Sequence, residues 1–346
     1  MECKCGEESA LSRRRFLASG LGPIVGGSLV SALPAAAQAR KAHRVDFHHH
    51  FLPPRHVDKI LAQRESGRPP QWSPTRSLEE MDQNDVTTAI CSLVQPGIWF
   101  GDVETSRSMA RYCNEYAAQM AADHPGRFGF FAAIPLPDAA GSLREIEYGL
   151  DTLRADGIGL MTQFEGKYLG DPAFTPVFEE LNRRKAIVYT HPTQPECCLG
   201  LVKGVTVSTI EYATDTTRTI ASLLFSGTVA RFPNIRFIFS HGGGTVPFLL
   251  GRFERLAEEK KDAWLVNGAA PALRKFYYEV AQANHPGALD ALLRLAPVSN
   301  VLFGSDFPLR PVSEAVTGIS KYRFSNSQRS AIERDNALRL FPRLKA

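Results

Sequence analysis

Val45-Asp46-Phe47-His48-His49-His50-Phe51-Leu52-Pro53 is the stretch from which the fold can be read. It carries an apolar, strand-like run into a turn that ends on proline. Successive side chains on a strand alternate faces, so His48 and His50 share one face and His49 takes the other. Two imidazoles on one face can converge on a divalent cation, and His49 is a poor ligand. A lone His-x-His is also what a histidine-rich surface turn looks like, so its weight depends on recurrence elsewhere in the chain.

It recurs. Thr190-His191-Pro192, Ser240-His241-Gly242-Gly243 and Gly304-Ser305-Asp306-Phe307-Pro308 each close an apolar run with a His or Asp closely followed by Pro or Gly. Working outward, the apolar runs predict eight strands, at 44–48, 88–94, 128–134, 157–162, 186–190, 236–240, 276–280 and 301–304. Helical periodicity fills the gaps at 103–123, 139–154, 172–184, 216–225, 247–260, 287–295 and 326–340. Near-continuous apolar strands alternating with amphipathic helices argue for a parallel sheet. The fold expected is α/β, a (β/α)8 TIM barrel with a short insertion after strand 1. Chemistry at the C-terminal ends of several strands is the layout of barrel active sites. Two long loops, 51–76 and 192–215, leave that same face.

The chain has 346 residues, 44% hydrophobic and 22% charged, with a formal net charge of +4. Charge this weak and dispersed gives no reason to expect nucleic acid as a partner. Beyond residue 40 no apolar run nears the roughly 18 residues that span a bilayer. Residues 1–39 read as a twin-arginine signal peptide. Ser12-Arg13-Arg14-Arg15-Phe16-Leu17 is followed by a mildly apolar stretch and by Ala37-Gln38-Ala39, a small-residue cleavage site. Residues 40–346 would then form the mature barrel, periplasmic and free of the membrane after processing. Cys91 and Cys113 read as buried thiols. Cys197 and Cys198 read as free thiols in a loop, because neighbouring cysteines seldom meet bridge geometry.

His48, His50, His191 and Asp306 form a nitrogen-rich set with one carboxylate. That set suits Zn²⁺, with Mn²⁺, Fe²⁺ and Co²⁺ as alternatives. His241 is expected beside the metal as an acid, base or hydrogen-bond donor. Asp46 could orient a ligand imidazole. Gly242 to Gly244 would let the chain turn close to the site. Arg218, Arg310 and His285 are weaker candidates for substrate contact, the arginines for a carboxylate. Trp72, Trp99 and Phe100 could stack on an aromatic substrate. His43, His56 and His124 read as solvated.

These motifs together resemble the branch of the amidohydrolase superfamily related to aminocarboxymuconate semialdehyde decarboxylase. Arg127-Phe128-Gly129-Phe130-Phe131-Ala132 and Leu153-Arg154-Ala155-Asp156-Gly157 look most like the 6-methylsalicylate decarboxylases. The resemblance implies a homodimeric barrel with one metal. It carries over His48, His50, His191 and Asp306 as ligands and His241 as the adjacent catalytic histidine. Where the γ-resorcylate type has Glu, this chain has His48, which leans toward zinc. The implied reaction is non-oxidative decarboxylation of a small, salicylate-like carboxylic acid, with the proton delivered by Asp306 first or His241 second. One alternative on the same site is metal-dependent hydrolysis of a lactone, ester or amide. A second is a metal- or ligand-binding protein without turnover.

Overall fold

The computed structural model describes residues 43–63 and 69–345. The signal peptide expected over residues 1–39 lies outside the described residues. Ten strands occur among them: β1 (Arg44–Phe51), β2 (Val86–Leu93), β3 (Phe128–Ala133), β4 (Gly157–Met161), β5 (Gln163–Phe164), β6 (Lys167–Tyr168), β7 (Ile187–His191), β8 (Arg236–Phe239), β9 (Tyr277–Glu279) and β10 (Val301–Leu302). Eight form one sheet in the order β1-β2-β3-β4-β7-β8-β9-β10, and each neighbouring pair is parallel. β5 and β6 make a small antiparallel hairpin above it. The sheet closes on itself: Phe47 N–H donates to the Phe303 carbonyl at 3.0 Å, and Asp306 N–H donates to the His48 carbonyl at 2.7 Å. All eight strands expected from the sequence are present, so the α/β barrel stands.

The strands are apolar on both faces because both are covered. Outside, Ile158, Val188 and Phe237 pack under helices such as Val103–Asp123 and Thr175–Arg183. Inside, Val45, Phe47, Ile90, Phe131, Tyr189, Ile238 and Leu302 fill the barrel, and Leu340 and Phe341 from the C-terminal segment seal its lower end. Each such buried side chain contributes about 1.5–3 kcal/mol. Phe131 and Tyr189 stack at 5.0 Å, and Tyr189 meets the His48 ring edge-on at 5.8 Å. The metal-ligand histidines therefore stand on an apolar floor.

Strict alternation would put Val45 and Phe47 on one face and His48 on the other. Yet Val45, Phe47, His48 and His50 all face inward. The strand register shifts between Asp46 and His49. That bulge resets the phase and turns both imidazoles into the barrel.

The two long loops expected from the sequence each contain helix. The first holds Pro54–Gln63 and the start of Pro74–Gln83. The second gives way to a helix that begins at Val207 rather than at residue 216. Val207-Ser208-Thr209-Ile210 is rich in β-branched residues, which weakens the local helix signal. Its helicity is fixed by burying Asp215, Thr216, Thr217 and Thr219 against the barrel. The helix expected over 139–154 ends at Glu147 and continues as a wider turn, Tyr148–Thr152. Among the described residues no helix is long and apolar enough to cross a membrane.

Candidate metal centre

His48 and His50 leave β1, His191 ends β7 and Asp306 follows β10. One donor atom from each lies within 4.8 Å of the other three, and all four residues are buried. His48 Nε2 is 3.0 Å from His50 Nε2. Each of these nitrogens is 3.2 Å from Asp306 Oδ1.

Hydrogen bonds on the far side of each ring fix what faces inward. His48 Nδ1 meets the Glu279 carboxylate at 2.8 Å. His50 Nδ1 meets the Ser92 carbonyl at 3.2 Å, and His191 Nδ1 meets the Pro192 carbonyl at 2.9 Å. All three partners only accept, so each Nδ1 carries the hydrogen and each Nε2 presents a lone pair. Three Nε2 atoms and a carboxylate oxygen then face one another, an arrangement that a cation between them would satisfy. These residues fit a divalent metal. The pocket favours positive charge at this point: burial disfavours charge on His48, but Glu279 and Asp306 outweigh it and push this imidazole up to about 10. Burial and the three surrounding imidazoles hold His191 well below its ordinary value. Burial works against ionised Asp306, yet the charge on His48 and the neighbouring His241, His48 and His50 rings keep it well below the carboxylate range.

Glu279 and Gln282 were not singled out in the sequence. Glu279 is fully buried. Besides His48, it accepts from the backbone N–H of His241 at 2.8 Å and of Ala281 at 2.7 Å. Its signal was a carboxylate inside an apolar run, Tyr277-Tyr278-Glu279-Val280. Gln282 Nε2 donates to Asp306 Oδ2. Nothing in the spacing marked it.

His241 stands beside the set, its ring 4.9 Å from that of His48. Its Nε2 is 3.7 Å from Asp306 Oδ2. Both ring nitrogens are buried without a hydrogen-bond partner. His241, Gln282 and Asp306 all have left-handed backbones, with φ of 52°, 53° and 69°. Each costs of order 1–3 kcal/mol, a strain that clusters where a site imposes geometry. The tight turn Gly242–Gly244 has positive φ throughout, as glycine permits. Gly304 is needed for a different reason. A Cβ there would strike Glu279 Oε2 and come within 3.0 Å of His48 Cβ.

The structure distributes the other candidates. Asp46 touches no ligand imidazole: its carboxylate takes His49 Nδ1 at 3.1 Å, the backbone N–H of His48 at 3.1 Å and the Ser305 N–H at 3.0 Å, tying β1 to the β10 loop. Glu279 has the role expected of it. His49 points outward to Ser77 Oγ at 2.8 Å. Arg310 lines the metal-side cavity, with its Nε donating to Glu314 at 2.9 Å. Arg218 is paired with Glu211 at 3.2 Å and lines none of the cavities around the metal. His285 is exposed and caps the helix Pro286–Leu295, its Nδ1 accepting from Ala288 N–H at 3.4 Å. Trp99 and Phe100 line a chamber at the mouth. Trp72 is instead held by Ser77 at 2.9 Å, against Tyr116.

Two expectations are corrected. His56 is not solvated but buried, its Nε2 donating to the Gly97 carbonyl at 2.7 Å. The apolar helix face of Pro54–Gln63 carries it inward. Cys197 and Cys198 are not free thiols: a disulfide joins them within the short turn Glu196–Cys198, which brings their sulfurs to one side. Cys91 and Cys113 are free and buried, as expected.

Ligands drawn from three strand ends, converging at the mouth of a parallel barrel, define a metal-dependent (β/α)8-barrel enzyme. The chain belongs to the amidohydrolase family, which it matches over residues 45–343. It is similar to Decarboxylase yanB of Aspergillus niger, 39% identical over 332 residues, 87% of this chain and 88% of that one. It is 36% identical over 317 residues to the 6-methylsalicylic acid decarboxylase of Penicillium expansum, covering 87% of this chain and 97% of the relative. The fold is shared with a dihydroxybenzoic acid decarboxylase from Polaromonas sp. JS666, solved with bound manganese and the inhibitor 2-nitroresorcinol. There the TM-score is 0.76 at 20% identity, over 88% of this chain and 98% of that one.

Proposed function

We propose that this protein is a metal-dependent, non-oxidative decarboxylase of a small 2-hydroxy-aromatic carboxylic acid. The observation that carries the reading is the convergence of three Nε2 lone pairs and Asp306 Oδ1 beside a histidine with no partner of its own. The decarboxylase relatives support it over hydrolysis. A divalent cation on His48, His50, His191 and Asp306 would bind the substrate carboxylate and its neighbouring hydroxyl and offset their charge.

The rest falls to side chains. Breaking the ring–carboxylate bond requires a proton on the ring carbon that loses carbon dioxide. Asp306 has one oxygen toward the imidazoles and the other, Oδ2, toward Gln282 and His241. Asp306 rests ionised, so Oδ2 would take up a proton from His241 Nε2 and hand it to the ring carbon. Gln282 fixes the carboxylate's rotation. The apolar floor of Phe131 and Tyr189 keeps water from competing as proton donor.

Zinc is the metal proposed, from the three-nitrogen, one-carboxylate donor set. Manganese, iron(II) and cobalt are the alternatives. Export through the twin-arginine route to the periplasm is proposed from Ser12–Leu17, and the Cys197–Cys198 disulfide is in keeping with an oxidising compartment. A homodimer is proposed, supported by large apolar side chains on the surface such as Phe248, 86% exposed. The deciding experiment is elemental analysis of purified residues 40–346, followed by carbon dioxide release from a panel of 2-hydroxybenzoates. Proton release from lactones and esters, with no carbon dioxide from any acid, would replace this reading with hydrolysis.

A further inference from the structure

The metal-side cavity, about 340 Å³, is lined by His50, His191 and Asp306 together with Gln95, Gln194 and Tyr212. At that size it lies at the low end of small-molecule pockets, roughly 300–1,000 Å³. A second chamber of about 850 Å³ adjoins it, with Gln95 and Gln194 lining both. The chamber lies between the loops that follow β2, β4 and β7.

Its walls are aromatic and braced from behind. Trp99 and Phe100 come from the loop after β2, and Phe164 and Tyr168 from the β5–β6 hairpin. The Tyr168 hydroxyl donates to buried Asp215 at 2.7 Å. Phe164 packs edge-on against Phe174 at 6.0 Å. Gln163 Nε2 donates to Thr193 Oγ1 at 3.0 Å, linking the hairpin to the loop after His191. The charged residues lining the chamber are Glu165 and Glu196; no Lys, Arg or His lines it.

This lining is the opposite of the metal side. The metal site recruits an anion, whereas the chamber's own lining has no cation to neutralise one and two carboxylates to repel it. Aromatic faces favour a flat apolar group. We infer that the chamber is a substrate subsite, and that the preferred acid carries an uncharged aromatic or apolar extension on the side of the ring away from its carboxylate and hydroxyl. The inference rests on the decarboxylase reading, because the metal end must hold the acid.

The test is calorimetric binding to metal-loaded residues 40–346. Salicylate, its 4-phenyl and 5-phenyl derivatives and 5-sulfosalicylate would be compared. At least one phenyl acid is expected to bind about tenfold or more tighter than salicylate, as burial of an aromatic ring permits. The sulfonate should bind no tighter than salicylate. Trp99→Ala should cut the phenyl-to-parent ratio to about twofold or less, and Trp99→Phe should keep most of it. Phenyl acids no tighter than salicylate, or an unchanged ratio in Trp99→Ala, would overturn the subsite. Carbon dioxide release reads the other question. The expected affinity order without turnover sinks the decarboxylase reading and leaves the subsite standing; turnover with equal affinities does the reverse.

Discussion

Glu279 and His48 form a buried pair in which the carboxylate accepts the imidazole's Nδ1 hydrogen at 2.8 Å. The same carboxylate oxygen takes the backbone N–H of His241. One side chain of β9 therefore holds a metal ligand on one flank and the backbone of the adjacent histidine on the other. Glu279→Gln keeps the shape but removes the charge that fixes the tautomer. It should weaken metal binding by roughly 10–100-fold, as loss of such partners does elsewhere. Competition with a chromophoric chelator measures this without reference to turnover, and unchanged metal affinity would refute the role.

Asp306 and His241 should separate by metal content. Asp306→Asn replaces one carboxylate oxygen by an amide NH2 and leaves no group that can take up and release a proton, so turnover should vanish while some metal remains on the three imidazoles. His241→Asn should retain full metal but lose about 10²–10⁴-fold in kcat, the span of general acid–base contributions. Equal metal loss in both variants would make His241 a ligand instead.

His56 should make the fold acid-sensitive. Burial lowers its pKa to about 4, despite the hydrogen bond to Gly97. The unfolded chain takes up a proton below about 6.5, whereas the folded chain does so only near 4, so folding stability falls as pH drops through that window. The loss between pH 7 and pH 5 should be about 2 kcal/mol. In His56→Gln this pH dependence of urea unfolding should shrink by about that amount. An identical pH slope in the variant would show that another group is responsible.

Gly304→Ala should be costly although no positive φ is involved. The added methyl enters the space of Glu279 Oε2 and His48 Cβ. Overpacking of this kind costs about 1–3 kcal/mol, and here it also displaces the partner of a metal ligand. Both a lower thermal midpoint and reduced metal content are expected; a variant that loses neither would show that the β9–β10 contact is loose.

The barrel was legible because its strands are apolar on both faces and its ligands fall at strand ends, a signal local to each segment. His48, His50, His191 and Asp306 could be named for that reason. The parity argument for His48 and His50 was incomplete. It named the right pair, but the inward direction comes from a bulge that no periodicity reveals. Glu279 was missed because a strand reading treats one carboxylate as noise. Asp46 drew attention by adjacency to the histidines, whereas the partner of His48 sits 231 residues away in sequence. The helix from Val207 was hidden by β-branched residues whose helicity depends on what they bury. His56 looked like a loop histidine until its helix turned it inward.

The seal at the barrel's lower end ties its two poles together. The Phe341 ring sits 5.2 Å from that of Phe47, and Arg343 pairs with Asp156. Phe47 precedes His48 on β1, so the segment that plugs one pole also braces the strand delivering two ligands at the other. Shortening or bulking that plug should loosen the catalytic pocket, although no atom of it lies there.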